Sequence, residues 1–204
     1  MAYRKQWYTF GIRTTSDIDS LAATDLTNGD TVYNVDIDKP EYLLDTSAIS
    51  PYYSASKIWS NEDCVLVQDF YRVTNPCNIG NVVSLMLGVY SSPGNTNTWV
   101  EKCGTGVARY AGQFLGVVNR YEVGLTGTTS QNKMVAIQGI YDVKFTSATI
   151  NVTAGNYAIL SATAGECSQG SSTASTGAVG IIMETKTLDV DRLAKVMIQS
   201  FSSR

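Results

Sequence analysis

The chain has 204 residues, 16% of them charged, a net charge of −3 and no histidine. That length gives one full domain, or one with a smaller appendage, and a core that needs neither disulfides nor metal. The basic residues are scattered, which argues against nucleic acid. The missing imidazole removes the commonest general base and metal ligand, and every Ser–His or Cys–His pair.

The first ten residues are aromatic and basic: Tyr3, Arg4, Lys5, Trp7, Tyr8 and Phe10. No apolar run follows the basic pair, so no secretory signal is expected and synthesis is expected in the cytoplasm. No stretch approaches a membrane-spanning length. Ser16 to Leu26 predicts a short helix with Asp17 and Asp19 near its first turn, although such a segment also suits an arm that orders against a neighbour.

Asn28-Gly-Asp30 marks a turn, and Thr31 to Ile37 alternates as a strand. Tyr33, Val35 and Ile37 share its apolar face; Asn34 and Asp36 share the polar one, where Val32 is the exception. Asp38-Lys-Pro40 turns the chain, and Glu41 to Leu44 begins a return strand before a polar loop from Asp45 to Ser56. Cys64 to Gln68 and Phe70 to Val73 read as strand, broken at Pro76. Val82 to Tyr90 is an apolar run that fits a strand buried on both faces, and Ser91 to Asn97 is a loop tip.

Phe114 to Val118 is a further short strand. Val135 to Phe145 predicts one long amphipathic strand, with Val135, Ile137, Gly139, Tyr141, Val143 and Phe145 on one side and Gln138, Asp142 and Lys144 on the other. Tyr157 to Leu160, Ala178 to Glu184 and Ala194 to Ile198 are the last strands, with a Ser/Thr/Gly loop over Gly165 to Gly177. Short strands separated by turn residues predict an all-β protein, an antiparallel β-barrel or sandwich with an extended N-terminal arm and a small hairpin region. Residues 1–63 are expected to form the arm and hairpin that anchor the chain to a partner, and residues 64–204 the barrel.

Residues that carry chemistry are few. Cys64, Cys77, Cys103 and Cys167 include no C-x-x-C pair and read as free, mostly buried thiols. Asp36-Ile-Asp38 and Asp189-Val-Asp191 place carboxylates two apart, as a calcium ligand set can, but neither lies in an EF-hand loop and solvated turns are the expectation. Asn151-Val-Thr153 is a sequon with no secretion signal to give it meaning. The glycines at Gly104-Thr-Gly106 and Gly124-Leu-Thr-Gly127 complete no phosphate loop and suit hairpin turns. Nothing pairs any two of Glu101, Glu122, Glu166 and Glu184 as a glycosidase requires. No catalytic residue, metal ligand or cofactor is assigned. The 12 Tyr and three Trp, set among polar neighbours, point instead to interfaces or to stacking on sugars.

From about Gly104 onward a series of phrases stands out: Gly116-Val-Val118, the run Val135 to Tyr141, Ile150, Gly155-Asn-Tyr157, Ser161-Ala-Thr-Ala-Gly165, Gly177-Ala-Val-Gly180-Ile-Ile-Met-Glu184 and Leu193-Ala-Lys-Val-Met-Ile198. In this pattern the chain resembles the small β-barrel head-decoration, or capsid cement, proteins of tailed phages. Gly29-Asp-Thr-Val-Tyr-Asn-Val35 with Lys39-Pro-Glu-Tyr42 resembles a hairpin of virion fibres and head appendages. It lacks the D-G-x-x-W continuation; Asp45-Thr-Ser and a long insert stand there, with Trp59 in the tryptophan's place.

The resemblance covers about two-thirds of the chain and brings no catalytic residues. It implies a virion structural protein: a trimeric barrel on the outer capsid surface whose partners are the major capsid protein and its own copies, with no nucleic acid and no membrane. Tyr3, Arg4, Lys5, Trp7, Tyr8 and Phe10 would then be partner-binding residues of an arm reaching across capsid subunits. The alternative expectation is a head-fibre or tail-associated domain that binds a host-surface glycan.

Overall fold

The computed structural model describes residues 8–27, 29–45, 57–69, 77–85, 99–105, 115–121, 132–173 and 177–198. Tyr3, Arg4, Lys5 and Trp7, the turn residue Asn28, the loop from residue 46 to 56, the strand expected at Phe70 to Val73, and residues 86–98 lie outside them. The chain divides into two compact units, Met1–Glu62 with Glu122–Gly124, and Asp63–Tyr121 with Leu125–Arg204. Both are β-structures, and the longest helix among the described residues has six residues. No helix among the described residues is long and apolar enough to cross a membrane.

The first unit is a four-stranded sheet in the order β1 (Ile12–Arg13), β2 (Thr31–Asn34), β3 (Lys39–Asp45), β4 (Lys57–Ser60). β1 runs parallel to β2; the other pairs are antiparallel. Helix α1 (Thr15–Ser20) starts at a capping box: Thr14 accepts from the Asp17 N–H, and the Asp17 carboxylate accepts from the Thr14 N–H. The turn before β3 leaves Asp38 at φ +54, a conformation Asp tolerates better than most residues. Ile18 of α1, Val32, Leu43 and Trp59 form the core, and Phe10, Leu21 and Leu26 pack against it. Residues 8–27 therefore fold largely into the body of this unit.

The facing expected for β2 is reversed. Val32 and Asn34 are buried, whereas Tyr33 is half-exposed and Val35 lies beyond the strand on the surface. Asn34 satisfies its amide inside: it donates to the Glu41 carboxylate at 2.8 Å and to the Thr15 hydroxyl at 2.9 Å. Once its polar groups are paired, Asn34 can take a buried position that periodicity would assign to an apolar residue.

The second unit has two parts. β5 (Cys64–Asp69), β7 (Trp99–Lys102), β6 (Val82–Leu85), β8 (Gly116–Tyr121) and β9 (Asn132–Ala136) pair in that order, and β9 returns to β5, closing a five-stranded ring. β10 (Gly139–Lys144), β16 (Leu193–Ile198), β14 (Ala178–Ile182), β12 (Tyr157–Leu160) and β13 (Cys167–Gln169) form an antiparallel sheet, with β11 (Asn151–Val152) and β15 (Lys186–Thr187) as a separate ribbon.

Alternation along the ring strands explains the interior. Val83, Val118 and Val135 join one cluster with Cys77 and Val100, while their neighbours Val82, Val117 and Ala136 join the larger core that also contains Tyr141, Val143, Ala158, Ile182 and Val196 of the open sheet. Successive side chains point to opposite faces, so a strand with apolar contacts on both sides carries consecutive valines. The expectation of double burial for the run beginning at Val82 holds over Val82, Val83 and Ser84, all fully buried.

The long strand expected from Val135 to Phe145 is instead two strands. Ile137 and Gln138 separate β9 from β10, and Gly139 turns the chain at φ +98, a conformation that favours glycine. The expected inward face holds over Tyr141, Val143 and Phe145, all buried. The Ser/Thr/Gly loop at Gly165 to Gly177 also contains a strand, β13, because Cys167 pairs with Leu160.

Candidate interaction surfaces

The outer face of the first unit's sheet gathers aromatic and apolar groups. Ile12, Tyr33 and Pro40 lie directly opposite one another across β1, β2 and β3, and Thr31 lies opposite Tyr42 in the next row. Residues in register share a face, and the intervening Val32, Glu41 and Leu43 point inward. Tyr8 leans on Tyr33 with ring centroids 5.6 Å apart at a tilt of 54°. Ile12 is 71% exposed and Tyr42 38% exposed. Tyr8, Tyr33, Tyr42, Ile12 and Pro40 thus form one surface patch.

The polar interior beneath holds the patch in place. Asn34 and Glu41 bond across β2 and β3, and the Asn34 side-chain oxygen Oδ1 accepts from the Asp36 N–H at 3.0 Å. Asp36 accepts from the Thr15 N–H at 2.7 Å, tying the start of α1 to the turn after β2. Asp38 accepts from the Tyr33 hydroxyl, and that bond to a carboxylate raises the phenol above its usual titration range. Asp36 and Asp38 are therefore turn-fixing groups. Asp189 has the same kind of role, accepting from the N–H groups of Asp191 and Arg192 at 3.1 Å each. Among the described residues, no group of three or more His, Cys, Asp or Glu could hold a metal ion.

Of the residues expected to bind a partner, Tyr8 stands on the exposed patch and Phe10 packs against the core of the same unit. Tyr33 and Tyr42, which also stand on the patch, are not among the residues the sequence marks for partner binding. The register across β2 and β3 places them: β2 ends at Asn34, the turn falls at residues 35–38 and not at Asp38-Lys-Pro40, and Pro40 lies in β3 opposite Tyr33. Trp59 is buried in the core.

In the second unit a chain of side chains links three strands. Asp63 accepts from Gln138 at 3.1 Å and from the Tyr141 hydroxyl at 3.4 Å, and Cys64 lies 3.8 Å from both the Tyr141 hydroxyl and the Asn119 amide nitrogen. This ties the start of β5 to β8 and β10. Cys77, Cys103 and Cys167 are buried and Cys64 half-buried, all as free thiols. Burial pushes the Cys103 and Cys167 thiols up, away from the reactive thiolate. Glu166 pairs with Lys144 at 3.9 Å and Glu184 with Lys186 at 3.1 Å.

Comparison with protein-family models, curated proteins and solved structures finds no match.

Proposed function

We propose that this chain is a non-enzymatic structural protein that works by protein–protein contact, as a component that decorates and stabilises a phage capsid. The observation that carries the reading is the patch of Tyr8, Tyr33, Tyr42, Ile12 and Pro40 on the first unit's sheet. Tyrosine is enriched where proteins meet, because it buries a large ring and keeps a polar tip for hydrogen bonding. The patch lies on a β-scaffold and not on a flexible tip, so less ordering entropy opposes binding. The major capsid protein is the proposed partner. Burial repeated over many copies raises the cost of opening the shell, so a small energy per copy suffices.

The test is quantitative mass spectrometry of purified particles from the source virus. Copy numbers comparable to the major capsid protein support decoration, and absence from the particle ends the virion reading. Tyr42→Ser should lower occupancy on particles while leaving the chain folded. A second reading, glycan recognition by a fibre or tail-associated domain, is favoured by the same three tyrosines, since exposed aromatic faces also stack on sugars. A glycan array on which the protein binds and Tyr42→Ser does not would select it.

A further inference from the structure

The first unit concentrates negative charge. Residues 8–43 hold seven carboxylates against two basic residues, Arg13 and Lys39, whereas the whole chain holds 18 against 15. Both basic residues lie opposite Asn34 in register, Arg13 on β1 and Lys39 on β3. Asn34 is buried, so the two share the inward side of the sheet and not the face that carries Tyr33 and Pro40. Arg13 donates its Nε–H to the Phe10 carbonyl at 3.0 Å. The carboxylates are bonded by neutral donors: Asp17 accepts from the Thr14 hydroxyl at 2.8 Å, Asp30 from the Thr27 N–H at 2.7 Å and Asp36 from the Thr15 N–H. Such bonds fix turns and caps and leave the charge in place.

One of these carboxylates stands at the patch. Asp38 accepts from the Tyr33 hydroxyl through Oδ1, and among the described residues nothing bonds its Oδ2. Asp38 is exposed, in the turn that it enters at φ +54. Beside it the Tyr8 and Tyr33 rings, 5.6 Å apart and tilted by 54°, form an open wedge. The face of an aromatic ring is the negative pole of its quadrupole. The wedge therefore sets electron-rich ring faces next to a carboxylate, and both attract a cation.

We infer that Tyr8, Tyr33 and Asp38 form a subsite for an arginine side chain of the partner protein. The guanidinium lies flat on the Tyr33 ring, within about 6 Å of its centre, and donates past the hydroxyl to Oδ2 of Asp38. Arginine fits better than lysine because its head is planar, stacks on aromatic rings and is more weakly hydrated. Ile12, Pro40 and Tyr42, on the same face, carry the arginine stem and the partner surface around it. Charge selects this occupant. An apolar partner would bury the Asp38 carboxylate without a counter-charge, and an acidic one would be repelled by the seven carboxylates of this region. The inference rests on the reading of this face as the contact surface and adds what the partner must present there.

The experiment is an NMR titration of the full chain, labelled on its tyrosine rings, with N-acetyl-arginine amide, its lysine counterpart and its neutral citrulline counterpart. The Tyr8 and Tyr33 signals should move and saturate with arginine, move less with lysine and stay in place with citrulline. Asp38→Asn keeps a residue that tolerates the left-handed turn and should weaken arginine binding about fivefold. Tyr8→Leu keeps the apolar bulk, removes one ring face and should weaken it by a similar factor. It also keeps the test open if the spectrum shows that Asp38→Asn does not fold. Citrulline or lysine binding as tightly as arginine, shifts scattered over the unit instead of centred on the two tyrosines, or an affinity unmoved by both variants overturns the inference. So does a glycan that binds the patch while arginine does not. A chain that takes arginine here but is absent from purified particles would count against the capsid reading alone. A chain that occupies particles at full copy number and ignores arginine would count against the inference alone.

Discussion

The two units solve burial differently. The second has a 17-residue apolar cluster spanning ring, open sheet and ribbon. Among its described residues the first has four buried apolar ones, Ile18, Val32, Leu43 and Trp59, and next to them the buried polar pair Asn34 and Glu41. A small unit has too little interior to specify its register by packing alone. Directional bonds then take a larger share of that task, and single side chains matter more. The second unit spreads the same burden over many valines and isoleucines.

Trp59→Ala is the sharpest way to break the comparison. Losing a buried tryptophan costs about 4 kcal/mol, and Trp59 is the largest of the four buried apolar residues described in its core. Hydrogen exchange should show lost protection across β2, β3 and β4 while β10, β14 and β16 remain protected. Uniform loss over both units would mean that they do not melt separately.

The second unit is most sensitive where backbones approach closely. A Cβ on Gly180 would lie 2.3 Å from the Met197 carbonyl oxygen and 2.8 Å from Val196 Cγ1. The nearer obstacle is backbone in a paired strand and cannot step aside, so Gly180→Ala should cost about 3 kcal/mol. A urea titration measures it. An unchanged midpoint would show that β14 and β16 can separate more easily than their register suggests.

Asn34→Ala tests the polar side of the comparison. It leaves the Glu41 carboxylate, 1% exposed, without its 2.8 Å donor, a loss of about 2 kcal/mol. The loss should appear in the first unit's exchange pattern, with Tyr8 and Tyr33 separating as the β2 register loosens. Tyrosine fluorescence that stays unchanged would detach the patch from the network beneath it.

The same contrast explains what the sequence revealed. In the second unit the elements follow from apolar pattern, and the run from Val82 was legible because valines on consecutive positions need a core on both sides. The break at Gly139 was not, since alternation continues through it and only the change of sheet marks it. β13 was hidden in a polar stretch because its pairing with β12, not its composition, makes it a strand. In the first unit the pattern misled. Tyr33 and Val35 look like an inward face, yet Asn34 goes inside because Thr15 at the start of α1 and Glu41 on the neighbouring strand satisfy it. The patch was legible only through Tyr8, because its other members are brought together by register.

Smaller effects separate local from tertiary contributions. Thr14→Ala removes the capping box of α1 and should cost about 1 kcal/mol. Thermal melts should register it in the first unit, where α1 supplies Ile18 to the core. A neutral result would mean that packing of Ile18, not the cap, holds the helix.

The smallest effect belongs to Glu184 and is a matter of sign. Partial burial pushes its carboxyl up, but the Lys195 backbone N–H and the ammonium groups of Lys186 and Lys195 outweigh that, so it titrates below its ordinary 4.5. A carboxylate whose folded value lies below its unfolded one stabilises the fold above the unfolded value, and the contribution is lost as pH falls through the folded one. The Lys186 partner is at 3.1 Å in a solvent-exposed setting, and screening limits the gain to about 0.3 kcal/mol. Wild type should therefore be slightly more stable than Glu184→Gln near neutral pH, and the gap should close below pH 4.5. Paired melts at the two pH values, repeated at high salt, measure it. A gap that persists in acid would assign the difference to the backbone bond from Lys195, which a glutamine oxygen accepts less strongly, and not to the two lysine charges.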